Sequence, residues 1–265
     1  MFQKSIGDTV FEVSHKLIES PNKSVYFNHI HNHCEILLFI RGNADYNIDG
    51  QIFTPSPFDL LFIPDAVYHY LIPRDTVPYE NYVIGISPSL IDDKHYQKLF
   101  KKPFMISIQD DVEFKGFFGR LDTYDERYSE KDFESSASAL ISELITYCSY
   151  RKDELNSGYS GSHARIEEII KYISENIESD IDADDIARRF MFSKSYIQNL
   201  FSQNMHIGLK KYIMQKKIYA ANADLSRGIS PYRVCEKYCF GDYTGFYRLY
   251  KKTFGVSPKA FGKKY

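Results

Sequence analysis

Two stretches of the chain share one pattern of apolar positions, and this repeat limits how the second half can fold. Residues 193–212 (SKSYIQNLFSQNMHIGLKKY) align without gaps on residues 242–261 (DYTGFYRLYKKTFGVSPKAF). In the second stretch, Phe246 and Tyr250 lie one helical turn apart, and Asp242 precedes them at the position of an N-cap. The pattern therefore predicts a duplicated amphipathic helix that buries one face and leaves the other face outside.

A shorter helix is expected just before each copy. The segments DADDIARRF (182–190) and SPYRVCEKY (230–238) both begin near a capping residue and place apolar and small side chains on one face. Only a short turn separates each segment from the helix that follows. Two helices joined in this way form a helix-turn-helix, whose second helix enters the major groove of DNA. A plain helical hairpin has the same local pattern, so two copies in register carry more weight than one.

Charge is divided unevenly along the chain, although the whole carries a net charge of −2. Residues 165–265 contain 18 Lys and Arg against 11 Asp and Glu, whereas residues 1–164 contain 15 against 24. The basic excess coincides with the paired helical units. A basic block on such units is the electrostatic signature of a DNA-binding domain.

Residues 166–261 resemble the DNA-binding domain of AraC-type transcriptional regulators. The resemblance rests on the strings IARRF (186–190), SKSYIQNLF (193–201) and FGVSPKAF (254–261), and on the intervening helix-forming stretch KKYIMQKKIYAANADL. It covers about a hundred residues and implies two helix-turn-helix motifs on one connecting helix, reading successive faces of the major groove.

The sequence departs from the family pattern at several positions. His206 stands where the first copy usually has glycine, and Lys217 replaces an arginine of the connecting helix. The second helix of each motif, which enters the major groove, is called its reading helix. Gly245 replaces a larger residue in the reading helix of the second motif. Glycine weakens a helix by about 1 kcal/mol relative to alanine. We therefore expect the second motif to make fewer base contacts than the first.

The outer faces of the two reading helices differ in chemistry. Side-chain amides such as those of Gln198 and Asn199 suit adenine, whereas lysine side chains more often meet phosphates. The resemblance places Ser195, Gln198 and Asn199 of the first motif at groove-facing positions, and their counterparts in the second are polar as well. The complete set of predicted DNA-binding residues is Lys194, Ser195, Gln198, Asn199, Tyr243, Thr244, Arg248, Lys251 and Lys252.

The first half of the chain contains many short β-rich runs. Runs such as EILLFI, DLLFI and YENYVIGIS are separated by turn signals that include Asp49-Gly50 and Pro55-Ser56-Pro57. Evenly spaced strands of this length indicate a small barrel or jelly roll.

A group of histidines lies within these runs. His29, His31 and Glu35, together with His69 on a later strand, resemble the metal pattern of cupin barrels. The alternation of His29, His31 and His33 predicts that these three share one face of a strand. The group could be a metal site, or a histidine-lined pocket without metal. Because the second cupin signature is degraded, we predict an effector-binding site formed by His29, His31, Glu35 and His69, with no metal and no other cofactor.

Two helical stretches are expected between the barrel and the basic half. Residues 110–128 are mixed in character, and residues 132–150 carry an apolar stripe. The resemblance makes this pair a dimerisation surface; packing against its own barrel is the alternative. The polar segment 151–164 is predicted to be a flexible linker. The predicted domains are therefore 1–150, for effector sensing and dimerisation, and 165–265, for DNA binding.

The fold class expected from these patterns is α+β, with an N-terminal cupin-like β-barrel carrying accessory helices and a C-terminal all-α domain with two helix-turn-helix motifs. Four cysteines without a signal peptide or a long apolar run lead us to expect a reducing, cytoplasmic location. No Gly-rich phosphate loop or nucleophile spacing stands out, so no catalytic residue is predicted.

These observations lead to a prediction of function. We expect a sequence-specific transcriptional regulator, not an enzyme, that is controlled by a small-molecule effector bound in the barrel. Its expected partners are double-stranded DNA, the effector, a second copy of the chain and RNA polymerase, with no membrane. Two alternatives stay open at this point: a metal-dependent cupin enzyme with a DNA-binding tail, and a constitutive regulator whose barrel only dimerises.

Overall fold

The computed structural model of the chain describes residues 1–6, 12–21, 29–154 and 164–261. The chain divides into two compact units, Met1–Ser162 and His163–Tyr265. Within the described ranges, no helix is both long enough and apolar enough to cross a membrane.

The N-terminal unit is built on two antiparallel sheets. The larger sheet has the strand order β1-β2-β8-β3-β6-β9, and the smaller has the order β5-β4-β7. The strands of the described residues are β1 (Phe2–Ser5), β2 (Glu12–Ile18), β3 (Cys34–Arg41), β4 (Ala44–Ile48), β5 (Gln51–Phe53), β6 (Asp59–Ile63), β7 (His69–Pro73), β8 (Tyr79–Ile86) and β9 (Phe104–Ser107).

Strand β3 explains why the strands of the larger sheet are continuous apolar runs in the amino-acid sequence. Its alternate residues Leu37 and Phe39 share one apolar core with Tyr46 and Ile48 of the smaller sheet. The residues between them, such as Leu38, point into a second core on the opposite face. Because side chains alternate along a strand, both faces of the larger sheet are covered, one by a sheet and one by helices.

Three helices cover the outer face of the larger sheet: α1 (Asp93–Leu99), α2 (Val112–Arg127) and α3 (Glu130–Glu154). The apolar stripe expected on 132–150 is buried in the same core as β3, β6 and β8. The stripe therefore packs against its own barrel, as the alternative interpretation held, and dimerisation through the other faces of this helix pair stays a prediction. The stripe consists of Phe133, Ala137, Leu140, Ile141, Leu144, Ile145 and Cys148.

Helix α3 is longer than the sequence pattern indicates. It continues to Glu154, four residues into the segment expected to be a linker. The next helix begins at Ala164, the last residue of that segment. Residues 155–163 lie outside the described ranges.

The C-terminal unit is helical throughout its described part. Helices α5 and α6 form the first hairpin and α8 and α9 the second, and α7 connects them, in agreement with the expected tandem arrangement. The helices are α4 (Ala164–Glu175), α5 (Ala183–Phe190), α6 (Lys194–Met205), α7 (Leu209–Ser226), α8 (Pro231–Lys237), α9 (Tyr243–Phe254) and α10 (Pro258–Phe261).

The two reading helices begin with the caps that the repeat predicts. The Ser193 hydroxyl accepts a hydrogen bond from the Tyr196 amide at 3.1 Å, and the Asp242 carboxylate accepts one from the Gly245 amide at 2.8 Å. Each bond satisfies an amide that has no partner inside its own helix. The caps fix where α6 and α9 start and thus which side chains face outward.

Helix α7 is the support against which the second hairpin packs. Phe246 and Tyr250 of α9 are fully buried against Ile218 of α7 and its neighbours. The Tyr250 hydroxyl donates to Asn222 Oδ1 at 2.6 Å, a buried polar bond between the two helices. Lys217, buried on α7, donates from Nζ to the Ser179 carbonyl at 2.8 Å. The alkyl chain of Lys217 packs inside while its ammonium group reaches a backbone carbonyl. Lysine is therefore accommodated at a position where the family usually has arginine.

Candidate functional site

The histidine group connects the start of β7 in the smaller sheet with the segment that leads into β3 of the larger sheet. His29 pairs with His69 through two backbone hydrogen bonds of 3.1 Å, which form an isolated bridge at the start of β7. Residues 30–33 are irregular, and β3 begins only at Cys34. The expectation that three alternate histidines share one strand face is therefore wrong, since the chain turns before β3.

The structure nevertheless brings the four predicted effector residues together. Glu35 is 7% exposed and His69 is 3% exposed. Glu35 Oε2 lies 3.0 Å from His31 Nε2 and 3.1 Å from His69 Nε2. With His29, these residues offer four ligand atoms that all lie within 4.8 Å of one another.

Backbone carbonyls orient two of the imidazole rings. His31 Nδ1 lies 2.9 Å from the His33 carbonyl, and His69 Nδ1 lies 3.1 Å from the Val67 carbonyl. A carbonyl only accepts, so Nδ1 carries the proton in both rings. Each ring thereby turns its Nε2 toward Glu35.

His33 supports the group without belonging to it. Its ring stacks on that of His31, with centroids 3.6 Å apart and planes 3° apart. Gly85 of β8 lies behind it, and a Cβ there would approach within 2.9 Å of His33 Cδ2. Burial lowers the pKa of His33 to about 4, helped by the neighbouring His31. The ring is therefore neutral at pH 7 and acts as a flat support for His31.

Charge in the group is shared between the buried carboxylate and the rings. Burial acts to raise the pKa of Glu35, but the contacts with His31 and His69 outweigh it and hold the pKa well below its ordinary value. Burial acts to lower the pKa of His69, and contact with Glu35 outweighs it and raises the pKa. Glu35 is thus an anion inside the barrel, and the site favours a positive charge next to it.

The outer face of α6 carries a compact polar surface. Ser195, Gln198 and Asn199 are exposed, whereas Ile197 and Phe201 on the opposite side are fully buried. Lys194 is also exposed, but its Nζ lies 2.7 Å from the Asp184 carboxylate of α5. Contact with Asp184 raises the pKa of Lys194. The sequence pattern missed Asp184, because only the turn between the helices brings it close to Lys194.

The outer face of α9 is basic. Thr244, Arg248, Lys251 and Lys252 are exposed, and Tyr243 is half-buried. The structure thus exposes eight of the nine predicted DNA-binding residues on the two reading helices, whereas Tyr243 packs partly against the core of the second hairpin.

Gly245 leaves room for the N-cap of α9. A Cβ at this position would lie 3.1 Å from Asp242 Oδ2, the carboxylate that caps the helix. That spacing is tighter than an ordinary van der Waals contact, so the cap would have to shift. Glycine at position 245 therefore preserves the geometry of the cap. It also leaves the helix surface without a side chain at that point.

A sheet domain with an inward polar group, followed by a tandem helix-turn-helix, defines a ligand-responsive transcription regulator. Residues 17–129 match the AraC-like ligand binding domain, and residues 186–264 match a helix-turn-helix domain. Together these matches cover well over half of the chain. The chain belongs to the AraC family of transcriptional regulators, with an N-terminal ligand-binding domain and a C-terminal DNA-binding domain.

The chain is also similar to individual known proteins. The arabinose operon regulatory protein of Salmonella typhimurium is 26% identical over 239 residues, which cover 84% of this chain and 81% of that protein. The regulator YtdP of Bacillus subtilis is 26% identical over 137 residues, but the match spans only 17% of its length. Among solved structures, apo ToxT from Vibrio cholerae aligns over 97% of this chain and 98% of its own, at 11% identity and a TM-score of 0.42.

Proposed function

We propose that a small-molecule effector binds at the group formed by His29, His31, Glu35 and His69, and that its binding changes how the helix-turn-helix motifs hold DNA. The observation that carries this proposal is the convergence of four polar side chains beside the apolar core between the two sheets. A buried carboxylate flanked by imidazoles suits a ligand that bears hydroxyl, carboxyl or amino groups.

The effector proposal can be tested by thermal shift of the full chain against sugars, carboxylic acids and amino acids. A hit should raise the melting temperature of the wild-type chain and change its affinity for operator DNA. Glu35→Gln should abolish both responses, whereas Glu19→Gln, at an exposed carboxylate of the same unit, should retain them. A response that survives Glu35→Gln would show that the effector binds elsewhere.

We further propose a division of labour between the two motifs. Gln198 and Asn199 offer amides that can bond two base atoms at once, and Ser195 adds a hydroxyl nearby. The face of α9 offers mainly guanidinium and ammonium groups, which suit phosphates. In this proposal α6 selects the sequence, while Tyr243, Thr244, Arg248, Lys251 and Lys252 of α9, with Lys194 of α6, mainly hold the backbone.

DNA titrations on an operator and on a scrambled sequence test this division. Gln198→Ala should cost about 1–3 kcal/mol of binding free energy on the operator and relax the preference at one base pair. Lys251→Ala should weaken both DNAs alike and reduce the salt slope by about one unit. Gln97→Ala, at an exposed glutamine of α1 in the N-terminal unit, is the matched control and should change neither. A reversed pattern, with Lys251→Ala altering sequence preference, would contradict the assignment.

We propose double-stranded DNA, the effector, a second copy of the chain and RNA polymerase as partners. Because the apolar stripe of α3 is covered by its own barrel, a homodimer would need a different surface. Light scattering of the full chain with and without operator DNA measures the assembly state, and transcription in vitro from an operator-bearing promoter tests contact with the polymerase.

We also propose that the chain works as two separable domains, residues 1–150 and 165–265, joined through 151–164. The division into compact units at Ser162 and His163 supports this. A fragment that starts near Gly161 should fold alone and bind operator DNA. An unfolded fragment would show that the boundary is misplaced.

A further inference from the structure

We propose that His29, His31, Glu35 and His69 bind one divalent transition-metal ion that joins the two sheets of the N-terminal unit. The site is the one proposed above for the effector, and its regulatory meaning rests on that proposal. Metal binding itself requires neither effector nor DNA. The inference departs from the sequence-based expectation of a metal-free pocket, and the spacing and orientation of the side chains are the reasons.

The spacing of Glu35 from two of the rings matches that of neighbouring ligands of one metal ion, and the four donor atoms, within 4.8 Å of one another, need only a small inward movement to bind it together. Imidazole nitrogens and carboxylate oxygens bind such ions at about 2.0–2.2 Å. Two ligands at that distance, at right angles around one ion, lie about 3.0 Å apart. Glu35 Oε2 lies 3.0 Å from His31 Nε2 and 3.1 Å from His69 Nε2. Glu35 thus sits at the spacing of adjacent ligands to both rings.

The orientation of the rings gives an independent argument. His31 and His69 both use Nδ1 to donate to backbone carbonyls. With Nδ1 protonated, Nε2 can face the Glu35 carboxylate at this distance only if the ring carries a second proton or shares a cation with the carboxylate, because a neutral Nε2 and a carboxylate both offer lone pairs. The His69 contact is close, yet His69 Nε2 has no hydrogen bond of good geometry among the described residues. A cation between these atoms would satisfy both rings and the carboxylate at once, and carbonyl-bound imidazoles are the usual surroundings of metal-ligating histidines.

The donor set selects the class of metal. Three imidazoles and one carboxylate suit Zn²⁺, Fe²⁺, Co²⁺ and Ni²⁺, whereas Mg²⁺ and Ca²⁺ prefer oxygen ligands alone. The neighbouring thiol of Cys34 does not join the group, because its Sγ lies 3.8 Å from the Asp65 carboxylate and the residue belongs to the core on the other face of β3. No thiolate therefore favours Cu⁺ here.

The position of the four ligands gives the ion a structural role. Glu35 lies on β3 of the larger sheet, and His69 begins β7 of the smaller sheet. His29 and His31 lie on the irregular segment that leads into β3. An ion bound by all four would connect both sheets and this segment. His29 is exposed, so the site opens to solvent on that side, and an effector with oxygen donors could complete the coordination.

Metal uptake by the full, untagged chain tests the inference. The protein is stripped with a chelator and titrated with Co²⁺, Zn²⁺ or Ni²⁺, followed by calorimetry, cobalt absorption bands and metal analysis after dialysis. We expect one ion per chain and a chelator-reversible rise in the melting temperature. His69→Ala and Glu35→Gln should each weaken binding by more than about 100-fold, the upper range seen when only a supporting residue is lost. His206→Ala, a histidine of the C-terminal unit, should bind like the wild type.

Hydrogen exchange and a second variant keep the inference falsifiable. Metal should slow amide exchange in residues 29–33 and in β7, because these are the segments it connects. If circular dichroism shows that His69→Ala does not fold, His31→Gln replaces it as the test variant, because His31 is partly exposed and its substitution disturbs the core less. Stoichiometric binding that survives His31→Gln and Glu35→Gln, or its absence from the wild type, would overturn the metal site. If metal binds while no small molecule alters DNA binding, the metal site stands and the effector proposal fails.

Discussion

The hydrogen bond between Tyr250 and Asn222 gives the most direct test of how the second reading helix is held. The Tyr250 hydroxyl donates to Asn222 Oδ1 at 2.6 Å, and both side chains are buried, with Tyr250 fully covered. The bond crosses from α9 to α7 in the middle of an apolar cluster. Tyr250→Phe removes only the hydroxyl and leaves the ring in place.

The expected cost follows from burial. A buried acceptor that loses its partner costs about 1–3 kcal/mol, because it is cut off from water in the folded state alone. For a unit of about 100 residues, each kcal/mol lowers the melting temperature by roughly 4–8 °C. Tyr250→Phe should therefore destabilise the C-terminal unit by about 1–3 kcal/mol. The double variant Tyr250→Phe with Asn222→Leu should recover much of this loss, since both polar partners are then gone.

Hydrogen exchange on the full chain measures the effect where it occurs. Amides of α7 and α9 should exchange faster in Tyr250→Phe, while the sheets of the N-terminal unit should be unchanged. Tyr247→Phe removes the same atom from an exposed tyrosine of the same helix and is the matched control. Equal stability of the two single variants would refute the reasoning, as would a double variant less stable than Tyr250→Phe.

Three further outcomes are expected in the C-terminal unit. Burial acts to raise the pKa of Asp224, but hydrogen bonds from Lys237 and Tyr238 outweigh it and hold the pKa below its ordinary value. The stability from this carboxylate should be full above an aspartate's usual pKa of about 3.9 and be lost as the pH falls toward the lower folded value; urea titrations should show a smaller acid loss in Asp224→Asn than in the wild type. Asp184→Asn removes the carboxylate that competes with phosphate for Lys194, so DNA binding should tighten and its salt slope should steepen by at most about 0.9; unchanged affinity and slope would contradict that. Gly245→Ala should stabilise α9 by less than the usual gain of about 1 kcal/mol, because the new methyl group crowds the cap; hydrogen exchange showing the full gain would mean that the cap moves freely.

Much of the C-terminal unit could be predicted from the sequence because its determinants are local. The caps at Ser193 and Asp242 and the apolar faces of α6 and α9 follow from residue types within one or two helical turns. The repeat also predicts two hairpins of the same kind, because each copy has the same apolar face to bury. The α+β division and the sheet domain likewise follow from strand-length runs and turn residues.

The tertiary structure decided what depends on contacts between distant residues. The apolar stripe of α3 suits a partner chain or its own barrel equally well, and only the core shared with β3 shows which one covers it. The pairing of Lys194 with Asp184 likewise depends on the angle between two helices. The sequence by itself determined that His29, His31, Glu35 and His69 form a candidate group. The fold decided that β7 brings His69 to Glu35, with carbonyls turning both rings toward one point, because side-chain direction depends on backbone partners far along the chain.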